Sequence, residues 1–149
     1  MKFLTYSYCF ILSCGLLWSQ QTLKKKDSLA ITSVLFQQQE DWNKGAIDAF
    51  MEGYLKSDEL VFSGASGPIY GWEATRDRYK RVYSDRQKMG KLKFDILHML
   101  ALSPTVIQMQ GKFYLKRSIE DAQGYFTLNW IIINNQWLII SDHTTALAP

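Results

Sequence analysis

The apolar pattern of this chain changes period once, at Met89-Gly90, and that switch restricts the fold more than any other feature of the sequence. Before it, apolar residues recur every three or four positions, as on a helix buried along one side. After it they alternate, as on a strand with one covered face. Strands are expected over about Lys91–Leu102, Val106–Ser118, Gly124–Asn134 and Gln136–Thr144. Ser103-Pro104, the stretch Glu120-Asp121-Ala122-Gln123-Gly124, and Asn134-Asn135 supply the turns between them. Connections this short join antiparallel neighbours, because a parallel pair needs a long crossover.

Upstream of the switch the spacing predicts three helices. The first follows Asp27 or Ser28, either of which could cap it, carries Ile31, Val34, Leu35 and Trp42 on one stripe, and stops at Asn43-Lys44-Gly45. A short second helix buries Ile47, Phe50, Met51 and Tyr54. "ELVFS" then reads as a brief strand and "GASGPIYG" as a loop. The third helix is expected over about Trp72–Arg86, with Trp72, Tyr79, Val82 and Tyr83 on one side. Helices first and sheet last is an α+β pattern: three N-terminal helices packed on an antiparallel sheet. A chain of 149 residues suffices for one such domain.

Alternation assigns the sheet's faces. Ile107, Met109, Phe113 and Leu115 share a side with Gly111, and Phe126, Leu128, Trp130 and Ile132 share another; both should face the helices. The last strand is apolar on both sides, with Trp137 and Ile139 on one and Leu138 and Ile140 on the other. A sheet greasy on both faces closes strongly or meets a second copy, so a homodimer through the sheet is expected.

Residues 1–20 differ in kind. Lys2, the apolar run "FLTYSYCFILSCGLLW" and the exit "SQQ" read as a signal peptide, followed by a flexible leader over 21–28 and a single domain over 29–146. The protein is therefore expected to be exported, periplasmic or secreted, without stable membrane insertion after cleavage. "ILSC" as a loose lipobox at Cys14 is the rival reading, and the greasy Gly15-Leu16-Leu17-Trp18 after it speaks against a lipid tether. Both cysteines, Cys9 and Cys14, lie in this segment, so the remainder offers no disulfide, thiol nucleophile or cysteine metal site. Without Lys2, 16 basic residues face 14 acidic ones, and the one basic cluster, Lys24-Lys25-Lys26, falls in the leader. No basic face remains for nucleic acid.

Trp42-Asn43-Lys44-Gly45, "IDAFMEGYLKSDELVF", Gly71-Trp72, "RYKRVY", "MGKLKF" and the closing "GYFTLNWIIINNQWLIISDHTT" occur in an order that resembles SnoaL-like proteins of the nuclear transport factor 2-like superfamily. The resemblance covers about Leu29 to Thr145, including a terminal Asp-His-Thr; Asn129-Trp130 departs from the pair often found there. It implies a cone of curved antiparallel sheet, three helices over its open side, and a pocket between them. It leaves function open, because this fold hosts ketosteroid isomerase, polyketide cyclases, scytalone dehydratase and noncatalytic binders.

Asp142 and His143 are the first candidates for chemistry. As neighbours in a strand they point to opposite sides, and a bulge near Ser141 would exchange those sides, so their orientation stays open. His98, on the side of Phe94, Ile96 and Leu100, reads as a core or cavity histidine. Tyr54, Tyr79 and Tyr83 could aim phenols into a pocket, and Trp42, Trp72 and Trp130 could wall it. Two distant histidines lack a third ligand for zinc, so neither metal nor cofactor is expected. The leading expectation is a pocket for a small apolar or amphipathic molecule, lined by Trp42, Tyr54, Trp72, Tyr79, His98, Trp130 and His143. The alternatives are an isomerase, dehydratase or cyclase with His143 or Asp142 as general base and Tyr54 as donor, or a scaffold whose main task is dimerisation.

Overall fold

A computed structural model describes residues 21–147, so the expected signal peptide and the lipobox around Cys14 lie outside the described residues. Helix α1 (Lys25–Lys44) is followed by α2 (Ile47–Met51), the hairpin β1 (Val61–Gly64) and β2 (Gly67–Tyr70), α3 (Trp72–Val82) and α4 (Arg86–Met89). Four long strands complete the domain: β3 (Lys91–Ser103), β4 (Val106–Lys116), β5 (Ala122–Ile133) and β6 (Gln136–Ala146). Helices packed over one face of a curved sheet make the α+β cone that the period switch and the resemblance implied.

The details depart from expectation in several places. Helix α1 begins at Lys25, inside the segment expected as leader, and Leu23 already packs against the core. Neither Asp27 nor Ser28 caps it; Lys24 takes the cap position without a side-chain bond, and Asp27 sits in the first turn, where its charge opposes the helix dipole's positive end. The expected third helix is two, because Asp85 accepts from Lys88 N at 2.9 Å and starts α4 afresh. The expected loop over "GASGPIYG" pairs back as β2. Finally, the sheet is mixed rather than antiparallel. Its order is β2-β1-β6-β5-β4-β3, with β1 parallel to β6, and α3 and α4 carry the chain from β2 at one edge to β3 at the other.

The turn between β4 and β5 also falls slightly earlier than expected. Asp121 holds it, accepting from Arg117 N at 2.9 Å and from Lys116 Nζ at 2.6 Å, so pairing resumes at Ala122. Asn134 and Asn135 both adopt positive φ, as a two-residue hairpin turn between right-twisted strands requires.

The Trp42-Asn43-Lys44-Gly45 block fastens the helical layer to the sheet. Gly45 takes the left-handed conformation that ends α1, at φ 84°. Asn43 acts like a strand residue, accepting from Leu92 N at 2.7 Å and donating to Leu92 O at 3.0 Å. The Trp42 indole donates to Met89 O at 3.1 Å, while Arg86 donates to Trp42 O and Asn43 O and closes the helix end.

Three one-residue bulges interrupt the sheet; one leaves Leu102 unpaired near the end of β3, and the other two set the faces of candidate site residues. In β3, Ile96 faces Gly111 and His98 faces Gln110, which leaves Leu97 unpaired. In β6, Trp130 faces Ile139 and Asn129 faces Ser141, which leaves Ile140 unpaired. Each bulge bends its strand and moves every later side chain to the opposite face from the one strict alternation gives. On the concave face Gly111 is obligatory: a Cβ there would collide with the Phe126 ring and with Asp95 O.

Candidate functional site

Between the helices and the concave face lies a cavity of about 180 Å³. Helix α1 contributes Leu35, Gln38 and Trp42; α2 and the turn after it contribute Phe50 and Tyr54; α3 contributes Arg78 and Tyr79. From the sheet come Phe94, Phe113, Leu115, Phe126, Leu128 and Ile139, with Asp142 and Thr144 near the end of β6. The walls are fixed by edge-on aromatic packing: Trp42 to Phe50 at 5.3 Å, Phe50 to Tyr79 at 5.3 Å and Phe94 to Phe126 at 5.4 Å between ring centres.

Asp142 is the cavity's buried acid, 3% exposed. Its Oδ2 accepts from the Tyr54 hydroxyl at 2.8 Å and its Oδ1 from the Thr144 hydroxyl at 2.7 Å. The Tyr54 proton is thereby committed, so the Tyr79 hydroxyl, 3.4 Å away, donates to the Tyr54 oxygen. The relay runs from Tyr79 through Tyr54 to Asp142, with Thr144 closing the far side. Burial raises the Asp142 carboxyl above its ordinary value, against the opposing hydrogen bonds from Thr144 and Tyr54 and the positive charge of Arg78. Burial also pushes Tyr54 and Tyr79 well up, helped by the charge of Asp142, so both remain neutral phenols.

Of the residues singled out from sequence, Trp42, Tyr54, Tyr79, Tyr83 and Asp142 meet at this cavity, and Trp72, His98, Trp130 and His143 do not line it. The β6 bulge at Ile140 puts Asp142 on the same face as Ile139 and leaves His143 exposed on the outer face. The β3 bulge at Leu97 does the same to His98, which leaves the side of Phe94 and Ile96 and is exposed. Trp72 packs outside the cavity, its indole donating to Met51 O at 3.0 Å and its ring covered by Lys56 and Arg76. Trp130 is fully buried in the core, and its Nε1 has no partner among the described residues.

Sequence reasoning passed over two polar groups that the cavity uses. Thr144 is two residues beyond Asp142 and so shares its side. Arg78 lies three residues after the buried Thr75 and so joins the same helical stripe, a spacing that the charge-rich surroundings of α3 concealed. Among the described residues no group of three or more His, Cys, Asp or Glu side chains is placed to hold a metal ion, and no helix is long and apolar enough to cross a membrane.

No protein-family profile and no curated protein sequence matches the chain. Solved structures do. An NTF-2-like protein of unknown function from Shewanella oneidensis is 34% identical, with 80% of this chain and 98% of that one superimposed at a TM-score of 0.76. A ketosteroid isomerase-like protein from Erwinia carotovora superimposes over 85% of this chain and all of its own length, at 13% identity and a TM-score of 0.69. An NTF2-like protein of unknown function from Pseudomonas putida covers 86% and 92% at 12% identity and a TM-score of 0.70. The last two likenesses are likenesses of fold.

Proposed function

The chain belongs to the nuclear transport factor 2-like superfamily, and from that premise we propose that it is an exported domain that binds a small, mostly apolar molecule in the cavity between helices and sheet. The observation that carries this reading is the cavity itself: walled by phenyl and indole rings, and with its polar groups gathered at Asp142, Tyr54, Tyr79 and Thr144. A site of this kind, apolar with a few convergent polar groups, is what small-molecule recognition requires. Toluene or benzyl alcohol, titrated into the protein, should shift the NMR resonances of Trp42, Leu128 and Tyr79 and raise the melting temperature. Shifts confined to the outer face, or none at millimolar probe, would sink the proposal.

One observation favours a second reading, proton-transfer catalysis. A buried carboxyl held by two hydroxyl donors and raised above its ordinary value is a better proton acceptor than an exposed aspartate. In that reading Asp142 is the base, Tyr54 positions it, and the Tyr79 hydroxyl turns from its long 3.4 Å contact with Tyr54 toward a developing oxyanion; His143, exposed on the other face, has no part. Exchange of the carbon-bound protons of phenylacetone in D2O should be accelerated by the protein and not by Asp142→Asn. Equal rates for the two proteins would leave only binding.

The outer face of the sheet supports a homodimer. Leu100 is 41% exposed there, one row from the half-buried Ile131 and Leu138, and Tyr125 is 46% exposed further along β5. Sedimentation should give twice the chain mass, and Leu138→Glu should halve it.

A further inference from the structure

The cavity's cation is unspoken for. Arg78 lines it from α3, half-buried, with its guanidinium 4.4 Å from the centre of the Phe62 ring and 5.8 Å from that of Tyr79. Its neighbours on the helix are paired: Arg76 with Asp77 at 3.0 Å and Lys80 with Asp48 at 2.7 Å. Arg78 forms no ion pair and no side-chain hydrogen bond among the described residues. Asp142 is within range of its field but is already taken by Tyr54 and Thr144. Gly64, at the end of β1, stands beside the guanidinium without a side chain to cover it.

A guanidinium that lies over an aromatic ring, lines a cavity and forms no hydrogen bond of its own is a fork suited to a planar carboxylate, since two parallel N–H···O bonds satisfy both partners at once. The cation–π contact with Phe62 holds the guanidinium at the cavity and lowers the ordering cost of using it. The size of the cavity limits what the carboxylate can be attached to. An apolar hole of about 150 Å³ holds one benzene ring, so about 180 Å³ takes one ring and a short linker, not a sterol.

We propose that the ligand is a monocarboxylate of about one ring, with its apolar body among Phe50, Phe94 and Phe126 and its carboxylate on Arg78. This inference rests on the cavity-binding reading and adds the ligand's charge, size and orientation to it. The ligand's charged end stays on the Arg78 side, away from the acid that is already satisfied by its two hydroxyl donors.

Phenylacetate and its neutral isostere phenylacetamide test the proposal, with dissociation constants measured by NMR on the full chain, on Arg78→Met and on Arg78→Lys. The wild type should bind phenylacetate at least tenfold more tightly. Arg78→Met should lose that preference and bind the two probes equally, and Arg78→Lys should retain part of it. Independently of any variant, phenylacetate and not phenylacetamide should move the Arg78 Nε–H resonance. Equal affinities in the wild type, or a preference that survives in Arg78→Met, would overturn the assignment to Arg78 and leave the cavity-binding reading standing. Failure of both probes to bind the wild type would overturn both.

Discussion

The two faces of one sheet, built from alternate residues of the same four strands, have opposite chemical characters. The concave face is aromatic and aliphatic and converges on a single buried acid with three hydroxyls around it. The convex face carries both histidines, Gln110, Thr127 and Lys112 beside scattered apolar residues. Register even sets His98, Gln110, Thr127 and His143 in one row across that face. Asp142 and His143 make the contrast sharpest, since one is 3% exposed and its neighbour in the strand is exposed on the other face. The lesson is that residue type does not select the chemical site here. The side of the sheet does, and one unpaired residue decides the side.

The largest expected effect comes from adjacent positions in β4. Met109 is completely buried and its truncation to alanine should cost about 2–5 kcal/mol, because the space left cannot refill. Gln110→Ala, one residue on and on the outer face, should stay within about 0.5 kcal/mol. Urea denaturation of both variants measures the difference, and equal costs would break the contrast between faces.

Next is Tyr54→Phe, which keeps the ring and removes the donor. Loss of one partner of a buried carboxyl should cost about 1–3 kcal/mol. Because the Tyr54 hydrogen bond lowers the Asp142 carboxyl, its loss should also move that group further up. A carboxyl carbon NMR titration would reveal either outcome, and an unchanged midpoint would show that the relay does not hold Asp142.

The smallest effect is also the most selective. Asp142 has a folded-state pKa above its unfolded value, so its contribution to stability is fully present below the ordinary carboxyl range and is lost as pH rises through the raised value. Asp142→Asn removes that loss. Relative to wild type, the variant should gain stability on going from acid to neutral pH. His143→Asn, on the exposed face, should not reproduce the trend. Melting temperatures across the pH range would decide it, and a parallel profile for Asp142→Asn would show that burial does not tune this acid.

Much of the architecture was legible from local pattern. The turns at Pro104 and Asn134-Asn135, the stop at Gly45 and the inward sets on β4 and β5 follow from periodicity and turn chemistry, which depend on a few neighbouring residues. The site was legible only in part. Trp42, Tyr54, Tyr79, Tyr83 and Asp142 meet at the cavity, whereas His98 and His143 were lost to two bulges that leave no strong mark in a run of apolar residues. Trp72 and Trp130 were large and apolar like true lining residues, and their depth relative to the cavity depends on packing between layers.

By itself the sequence determined where helix gives way to strand, which strands turn directly into the next, and that one acid near the C-terminus has a claim to chemistry. Those properties are local and repeat every two or 3.6 residues. Only the tertiary structure decided that β1 joins β6 in parallel, that Asp142 faces in and His143 out, and that Arg78 reaches the cavity. Each of these depends on where distant segments meet. A single residue left out of a ladder shifts a whole face without changing the composition that a reader of the sequence sees.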